Sequence, residues 1–354
     1  MYRKSYIEIN LNNLQNNVAN IIQSNTNYHY YIGVVKADCY GHGIKAISSI
    51  IKGGCNYLAV ATLEEAVEIR KMYKDIPILC LGNIYPTYLP ICIKMRIAIT
   101  INSLEYLKLI KEELLKQLTV HIKINTGMNR LGINDKKELL KVISLLKENK
   151  CYIEGIYTHI YEASSKENTN KQFQVFDDMI NIIKEEKIPI IHCQASEALI
   201  NYQKPNFVNG CRLGIIMYGF SNNKNLKLKS TFKLYSQIIQ IHELQEKDIV
   251  GYNGIYHAKK GDIVGVVALG YADGIIRKNT GNSVYIHNKK YPIIGNICMD
   301  MLFVKIDDTV KLYDQVEILK DVHHIEKNAK HLKTIPYEIL CSISKRVPRI
   351  YIDS

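Results

Sequence analysis

No stretch of this sequence approaches the roughly 18 consecutive apolar residues of a membrane span, and Met1-Tyr2-Arg3-Lys4-Ser5 is not followed by the apolar core of a secretion signal. Its cysteines lack pairing. All nine stand singly, at 39, 55, 80, 92, 151, 193, 211, 298 and 341, with no C-x-x-C and an odd total. That argues against a disulfide framework, gives no metal-ligand spacing, and fits a reduced compartment. No repeat or low-complexity tract interrupts the chain. These absences lead us to expect a soluble, cytoplasmic protein with no membrane partner and no metal.

What is present is ordinary globular composition: 47% hydrophobic and 23% charged residues, enough to build a sizeable core. At 354 residues the chain exceeds the roughly 250 of one (β/α)₈ barrel and leaves about 100 for a second module. The formal charge of +12 raises the question of nucleic acid. A binding stripe needs its cations on one face, whereas here they alternate with acids, as in Lys108-Leu109-Ile110-Lys111-Glu112-Glu113. The excess therefore reads as a lysine-rich solvated surface, and it weakly suits a small carboxylate substrate.

Short β-branched runs at 30–36, 56–60, 77–81, 97–100, 118–124, 153–158, 189–194 and 207–212 alternate with stretches of helical period at 62–73, 102–116, 135–149 and 170–186. Thr62 and Glu65 have the spacing of a capping box. Eight strands alternating with helices imply parallel βα units that close into a TIM barrel. An open doubly wound sheet is the competing arrangement, but it wants a glycine fingerprint after its first strand, and none appears. Beyond the polar 221–225 segment the texture changes to short strands, at 234–244, 262–270, 283–286, 291–297, 301–306 and 315–319. The expected organisation is α/β, a (β/α)₈ barrel over 1–225 followed by a mostly β domain over 226–354.

A TIM barrel keeps its chemistry at the C-terminal ends of its strands. The unusual polar residues fall there. Strand one ends in Lys36 and the Tyr40-Gly41-His42-Gly43 loop; strand five ends near Lys123 and leads to Arg130; strands six, seven and eight end at His159, Ser196 and Arg212. An amine at the end of an apolar strand has its pKa lowered if buried and can form a Schiff base. Taken alone, Lys36 reads equally well as a lysine snorkelling from the barrel mouth, and Arg130, Arg212 and His159 as structural side chains. Their convergence on one rim favours function. In the β domain, Gly270-Tyr271-Ala272-Asp273-Gly274 and Gly295-Asn296-Ile297-Cys298-Met299-Asp300 stand out but identify no enzyme by themselves.

Together these stretches resemble the alanine racemases, fold-type III enzymes dependent on pyridoxal phosphate. Val34-Val35-Lys36-Ala37-Asp38-Cys39-Tyr40-Gly41-His42-Gly43 matches the family's cofactor-lysine signature. Thr126-Gly127-Met128-Asn129-Arg130-Leu131-Gly132, Arg212-Leu213-Gly214, Gly270–Gly274 and Cys298-Met299-Asp300 follow in the family's order. The resemblance implies that Lys36 holds pyridoxal 5'-phosphate covalently, and that Tyr40, Ser196, Gly214, Ile215 and Tyr337 contact its phosphate. It also implies that Arg212 faces the ring nitrogen, with His159 against the ring or supporting Arg212. Arg130 and the Met299 backbone would bind the substrate carboxylate. Lys36 and Tyr271 would serve as the two bases, Tyr271 coming from the partner subunit of a homodimer with shared sites. Lys123 aligns with a lysine that the family can carry as a carbamate. The implied reaction interconverts L- and D-alanine, supplying D-alanine for peptidoglycan.

The chain departs from the family pattern at Asn125, at Ala195 and in the 160–164 segment, which bears on substrate choice more than on reaction type. A serine or broad-specificity racemase is one alternative, although serine-preferring members tend to replace the tyrosine matching Tyr337. A non-catalytic pyridoxal-phosphate-binding protein generally lacks the β domain. A related decarboxylase would pair the ring nitrogen with an acid rather than with Arg212.

Overall fold

The computed structural model describes residues 2–353. Eight parallel strands form the expected barrel: β2 (Tyr30–Val34), β3 (Tyr57–Val60), β4 (Ile78–Cys80), β5 (Ile97–Ile101), β6 (Thr119–Lys123), β7 (Tyr152–Tyr157), β8 (Ile190–Ala195) and β9 (Gly210–Leu213). β9 closes the ring on β2, with Tyr30 opposite Gly210. Strands covered on both faces read as unbroken apolar runs, and β3 and β5 are buried at every position. Helix Leu63–Met72 begins with the anticipated capping box, the Thr62 and Glu65 side chains each accepting the other's backbone N–H. The expected 102–116 helix is instead two pieces, Leu104–Lys108 and Glu112–Leu115, because Lys111 is extended between them.

The second domain is a sheet in the order β13 (Ile263–Val267), β16 (Leu302–Ile306), β15 (Lys289–Ile294), β14 (Ser283–Ile286), β17 (Gln315–Leu319), β10 (Phe232–Glu243), β1 (Tyr6–Asn10) and β18 (Arg349–Ile352). Its spine is β10. The first part of β10 pairs with β17 and the rest with β13. β14, β15 and β16 complete a ring of six, while β11 (Ile249–Val250) and β12 (Tyr256–His257) form a separate hairpin. Helices Val322–Leu332 and Pro336–Ser342 were not anticipated; the second carries Tyr337.

One part of the expected division needs correcting. β1 (Tyr6–Asn10), assigned with residues 1–225 to the barrel, lies in the β domain's sheet, antiparallel to β10 and parallel to β18 (Arg349–Ile352). Strand pairing is decided by contacts hundreds of residues away, which local pattern does not report. The two units are thereby laced: helix Leu11–Gln23 leaves β1 directly and buries Leu14, Val18 and Ile21 along one face. Among the described residues no helix is long and apolar enough to cross a membrane.

Candidate active site

The chain leaves β2 through a turn of unusual hand. Ala37, Asp38, Cys39 and Tyr40 all have φ of 52–53°. A left-handed turn of non-glycine residues costs roughly 1–2 kcal/mol per residue, so the surroundings must hold it. They do so from both ends. The Glu65 carboxylate accepts the Ala37 amide at 2.6 Å and the Ala61 amide at 2.8 Å, while Arg349 Nε donates to the Gly41 carbonyl at 3.1 Å. Buried His42 bridges the Tyr40 carbonyl and Thr231 Oγ1. Lys36 and Tyr40 are thus presented to one cavity. Lys36 is half-buried rather than sealed away.

The buried amine of this rim is Lys123, on β6. Burial, with Arg130, Arg212 and Lys36 nearby, lowers its pKa to about 8. Its ammonium lies 5.6 Å from the centre of the Tyr157 ring, and the Arg212 guanidinium 5.5 Å from the same ring. Arg212 is buried on the cavity floor. It donates to the carbonyls of Thr158 (2.8 Å), Cys193 (3.0 Å) and His192 (3.3 Å), and to Nδ1 of His192 (2.8 Å) and of His159 (3.3 Å). None of these partners is anionic. Burial and the surrounding cations push His159 down to about 3, so it is neutral and accepts from Arg212.

The same cavity holds a cradle of hydroxyls and amides. Gly214 N donates to Ser196 Oγ at 3.2 Å, and a Cβ on Gly214 would come within 3.2 Å of the Tyr40 hydroxyl and 3.3 Å of Ser196 Oγ. The Tyr337 ring stands 5.8 Å from that of Tyr40. The cavity enclosed has a volume of about 390 Å³. Lys36, Lys123, Arg130 and Arg212 line it against the single acid Glu197, which suits an anionic occupant.

Ten of the residues anticipated from sequence therefore share one cavity: Lys36, Tyr40, Lys123, Arg130, His159, Ser196, Arg212, Gly214, Ile215 and Tyr337. Arg130 is exposed at its mouth. Asn125 is turned into its own loop, where it bonds Asn129, Asn134 and the Gly127 amide.

Tyr271 and Met299 do not line this cavity. They sit together on the β domain, where Tyr271 N donates to the Cys298 carbonyl and Ala272 N to that of Met299, both at 3.0 Å. Tyr252, passed over in the sequence, belongs to the same surface. It tops the β11–β12 hairpin between Gly251 and Asn253, both at positive φ, and its carbonyl accepts from Asn296 Nδ2 at 2.7 Å. Tyr252 is 69% exposed and Tyr271 41%. The available signal was Gly251-Tyr252-Asn253-Gly254, a tyrosine among turn residues much like that around Tyr271.

Fold and cavity define a class: a (β/α)₈ barrel with a cation-lined cavity at its rim and a β domain beside it. The alanine racemase N-terminal domain model matches residues 9–222 and the C-terminal domain model residues 231–351. The chain belongs to the alanine racemase family and is an amino-acid racemase, an isomerase. It is 33% identical to the alanine racemase of Halalkalibacterium halodurans, covering 99% of this chain and 95% of the relative, and 34% identical to that of Helicobacter pylori, covering 99% of both. Among solved structures, alanine racemase of Clostridium difficile superposes with a TM-score of 0.93 at 33% identity, covering 99% of this chain and 96% of the other. That of Bacillus anthracis, solved with bound L-Ala-P, gives 0.91 at 29%, with the same coverage.

Proposed function

We propose that the protein interconverts L- and D-alanine with pyridoxal 5'-phosphate held in the barrel cavity, the D-alanine serving peptidoglycan synthesis. The observation that carries this is the pairing of a rim amine, Lys36, with a buried floor cation, Arg212, across a cradle of hydroxyls. The residues fit the cofactor. Lys36 would attach it; the hydroxyls of Tyr40, Ser196 and Tyr337 and the amides of Gly214 and Ile215 would take its phosphate, which near neutral pH offers mainly acceptors. Arg212 would face the ring nitrogen. When bound, the cofactor supplies the electron sink that acidifies the substrate Cα–H.

A guanidinium beside the ring nitrogen disfavours protonating it, which restrains the sink and disfavours transamination and decarboxylation. Arg130 and the Met299 amide would hold the substrate carboxylate. Racemisation removes a proton from one face of Cα and returns one to the other, so two bases are wanted. Lys36 would serve one face.

For the other face we assign a tyrosine from the partner's β domain in a head-to-tail homodimer, since neither Tyr252 nor Tyr271 lines its own chain's cavity. Tyr252 is our choice. It is the more exposed phenol, on a hairpin that also exposes Ile249 and Ile255, and its carbonyl is held by Asn296, three residues before Met299. A second reading keeps Tyr271, as the sequence resemblance implied, because its turn packs directly on Met299. For Lys123, a pKa near 8 leaves enough neutral amine to add carbon dioxide as a carbamate, and an anion there would orient Arg130.

The deciding experiment adds pyridoxal phosphate to the purified protein, records the visible absorbance, and follows loss of optical activity of alanine and of serine. A bound-cofactor band and faster turnover of alanine are expected. Absence of the band would defeat the cofactor reading, and faster turnover of serine the substrate reading.

A further inference from the structure

From the cavity floor a line of hydrogen bonds runs down through the barrel. Arg212 Nη1 meets His192 Nδ1 at 2.8 Å, and His192 Nε2 meets His121 Nδ1 at 3.1 Å. His121 Nε2 then meets Glu154 Oε2 at 3.0 Å, and the Tyr57 hydroxyl donates to that same oxygen at 2.6 Å. Five barrel strands supply these side chains. Glu154 and Tyr57 open on a cleft of about 250 Å³ among the N-terminal strand ends, the rim opposite the active-site cavity.

Chemistry sets the direction of the line. A guanidinium only donates, so His192 Nδ1 accepts and its proton sits on Nε2. That proton points at His121 Nδ1, which must accept in turn, leaving His121 Nε2–H to donate to Glu154. Both rings are neutral in this arrangement. Burial, then Arg212, pushes the His192 pKa well down, and burial lowers that of His121. Burial alone would raise Glu154, but hydrogen bonds from His121 and Tyr57 outweigh it and hold the carboxyl below its ordinary value.

The barrel is shaped around this line. A Cβ on Gly155 would fall 2.3 Å from His121 Nδ1, so only glycine leaves the ring its place. Strand register shifts between Val120 and His121 in the β6–β7 pairing, and between His192 and Ala195 in the β8–β9 pairing. Tyr157 stacks on His192 with centroids 4.7 Å apart and planes at 15°. Arg212, whose direct partners are all uncharged, thus reaches a carboxylate only through two imidazoles.

We propose that Glu154 is a positioning residue for the racemase reaction: as the distant counter-charge of Arg212, it holds from the far end the two histidine tautomers that the guanidinium requires, and thereby the aim of the guanidinium at the cavity floor. The catalytic part of this rests on the reading that Arg212 faces the cofactor's ring nitrogen; the tautomer part does not. Hydrogen-bond chains of this kind polarise one another, so loss at one end is felt at the other.

The test compares wild type with Glu154→Gln, which keeps an acceptor without charge, and Glu154→Leu, which removes both. Long-range ¹H–¹⁵N spectra of histidine-labelled protein, recorded with and without added pyridoxal phosphate, read the tautomers. Visible spectra and alanine kinetics are measured on the same samples. Wild type and Glu154→Gln should show both rings protonated at Nε2, and Glu154→Leu a mixed tautomer at His121 and, where the Arg212 bond slackens, at His192. The alanine kcat should fall on the order of tenfold in Glu154→Leu and less in Glu154→Gln, with KM within about twofold. Unchanged tautomers in Glu154→Leu overturn the proposal, as do altered tautomers with unchanged kcat. Altered tautomers in a protein that never takes up cofactor would instead uphold the line and defeat the functional reading.

Discussion

Arg3 and Asp273, 270 residues apart in the chain, form a two-point ion pair, Nη2 to Oδ1 at 2.6 Å and Nη1 to Oδ2 at 3.0 Å. Asp273 is wholly buried, pairs also with Arg346, whose Nε lies 3.0 Å away, and accepts the Gly270 amide at 3.0 Å. The turn bearing Tyr271 is thereby anchored to the N-terminal segment. Asp273→Asn leaves Arg3 without its counter-charge and Arg346 with Asp300 alone. A loss of ~2 kcal/mol is expected, less than for a fully buried pair because both arginines reach solvent. Arg3→Ala should cost less, since Arg346 remains. Urea unfolding of the two variants checks the order.

Tyr252→Phe and Tyr271→Phe separate the two candidate bases. Loss of the proton carrier should lower kcat for L-alanine by at least about 10²-fold, the usual weight of a positioned acid or base, with the cofactor band retained. We expect this of Tyr252→Phe and a much smaller change in Tyr271→Phe. The reverse order would restore Tyr271 to the role the sequence resemblance gave it.

Lys123 makes stability depend on pH with a definite sign. Its pKa falls from the ordinary 10.5 to about 8 in the folded protein. Between those values the unfolded chain binds more protons than the native one, so stability rises with pH across that window. Chemical denaturation at pH 8 and pH 10 should show a larger gain for wild type than for Lys123→Met. The same variant tests the carbamate: a ¹³C resonance appearing with labelled bicarbonate should vanish when Lys123 is replaced.

Gly214→Ala places a methyl group 3.2 Å from the Tyr40 hydroxyl and 3.3 Å from Ser196 Oγ. Both must yield by a few tenths of an ångström, which spoils the cradle while leaving the barrel strands intact. Pyridoxal phosphate should bind on the order of tenfold more weakly, a difference of about 1.4 kcal/mol, with little change in denaturation midpoint. Equilibrium titration of the visible band measures it.

Much of the site was legible before the fold was known, because a TIM barrel converts order in the chain into position on a rim. Lys36, Lys123, His159, Ser196 and Arg212 each stand at the end of a strand expected from the sequence, and such strands end at one face of the barrel. Tyr252 was not legible in that way. Its surroundings, Gly251-Tyr252-Asn253-Gly254, carry the same local texture as those of Tyr271, and only solvent exposure and the Asn296 clamp separate the two. Lys36 and Lys123 show a similar limit. Both stand at barrel-strand ends, yet Lys123 is the buried amine while Lys36 is half-buried at the entrance to a left-handed turn.

The sequence by itself determined the eight βα units, the following β domain and the family, since apolar periodicity and short motifs are local properties that survive without knowledge of distant contacts. Tertiary structure alone decided that β1 joins the far domain's sheet, that Asp273 answers Arg3, and that Arg212 reaches Glu154 through two histidines. Each of those depends on side chains meeting across many intervening residues, where burial and donor direction, rather than spacing along the chain, select the partner.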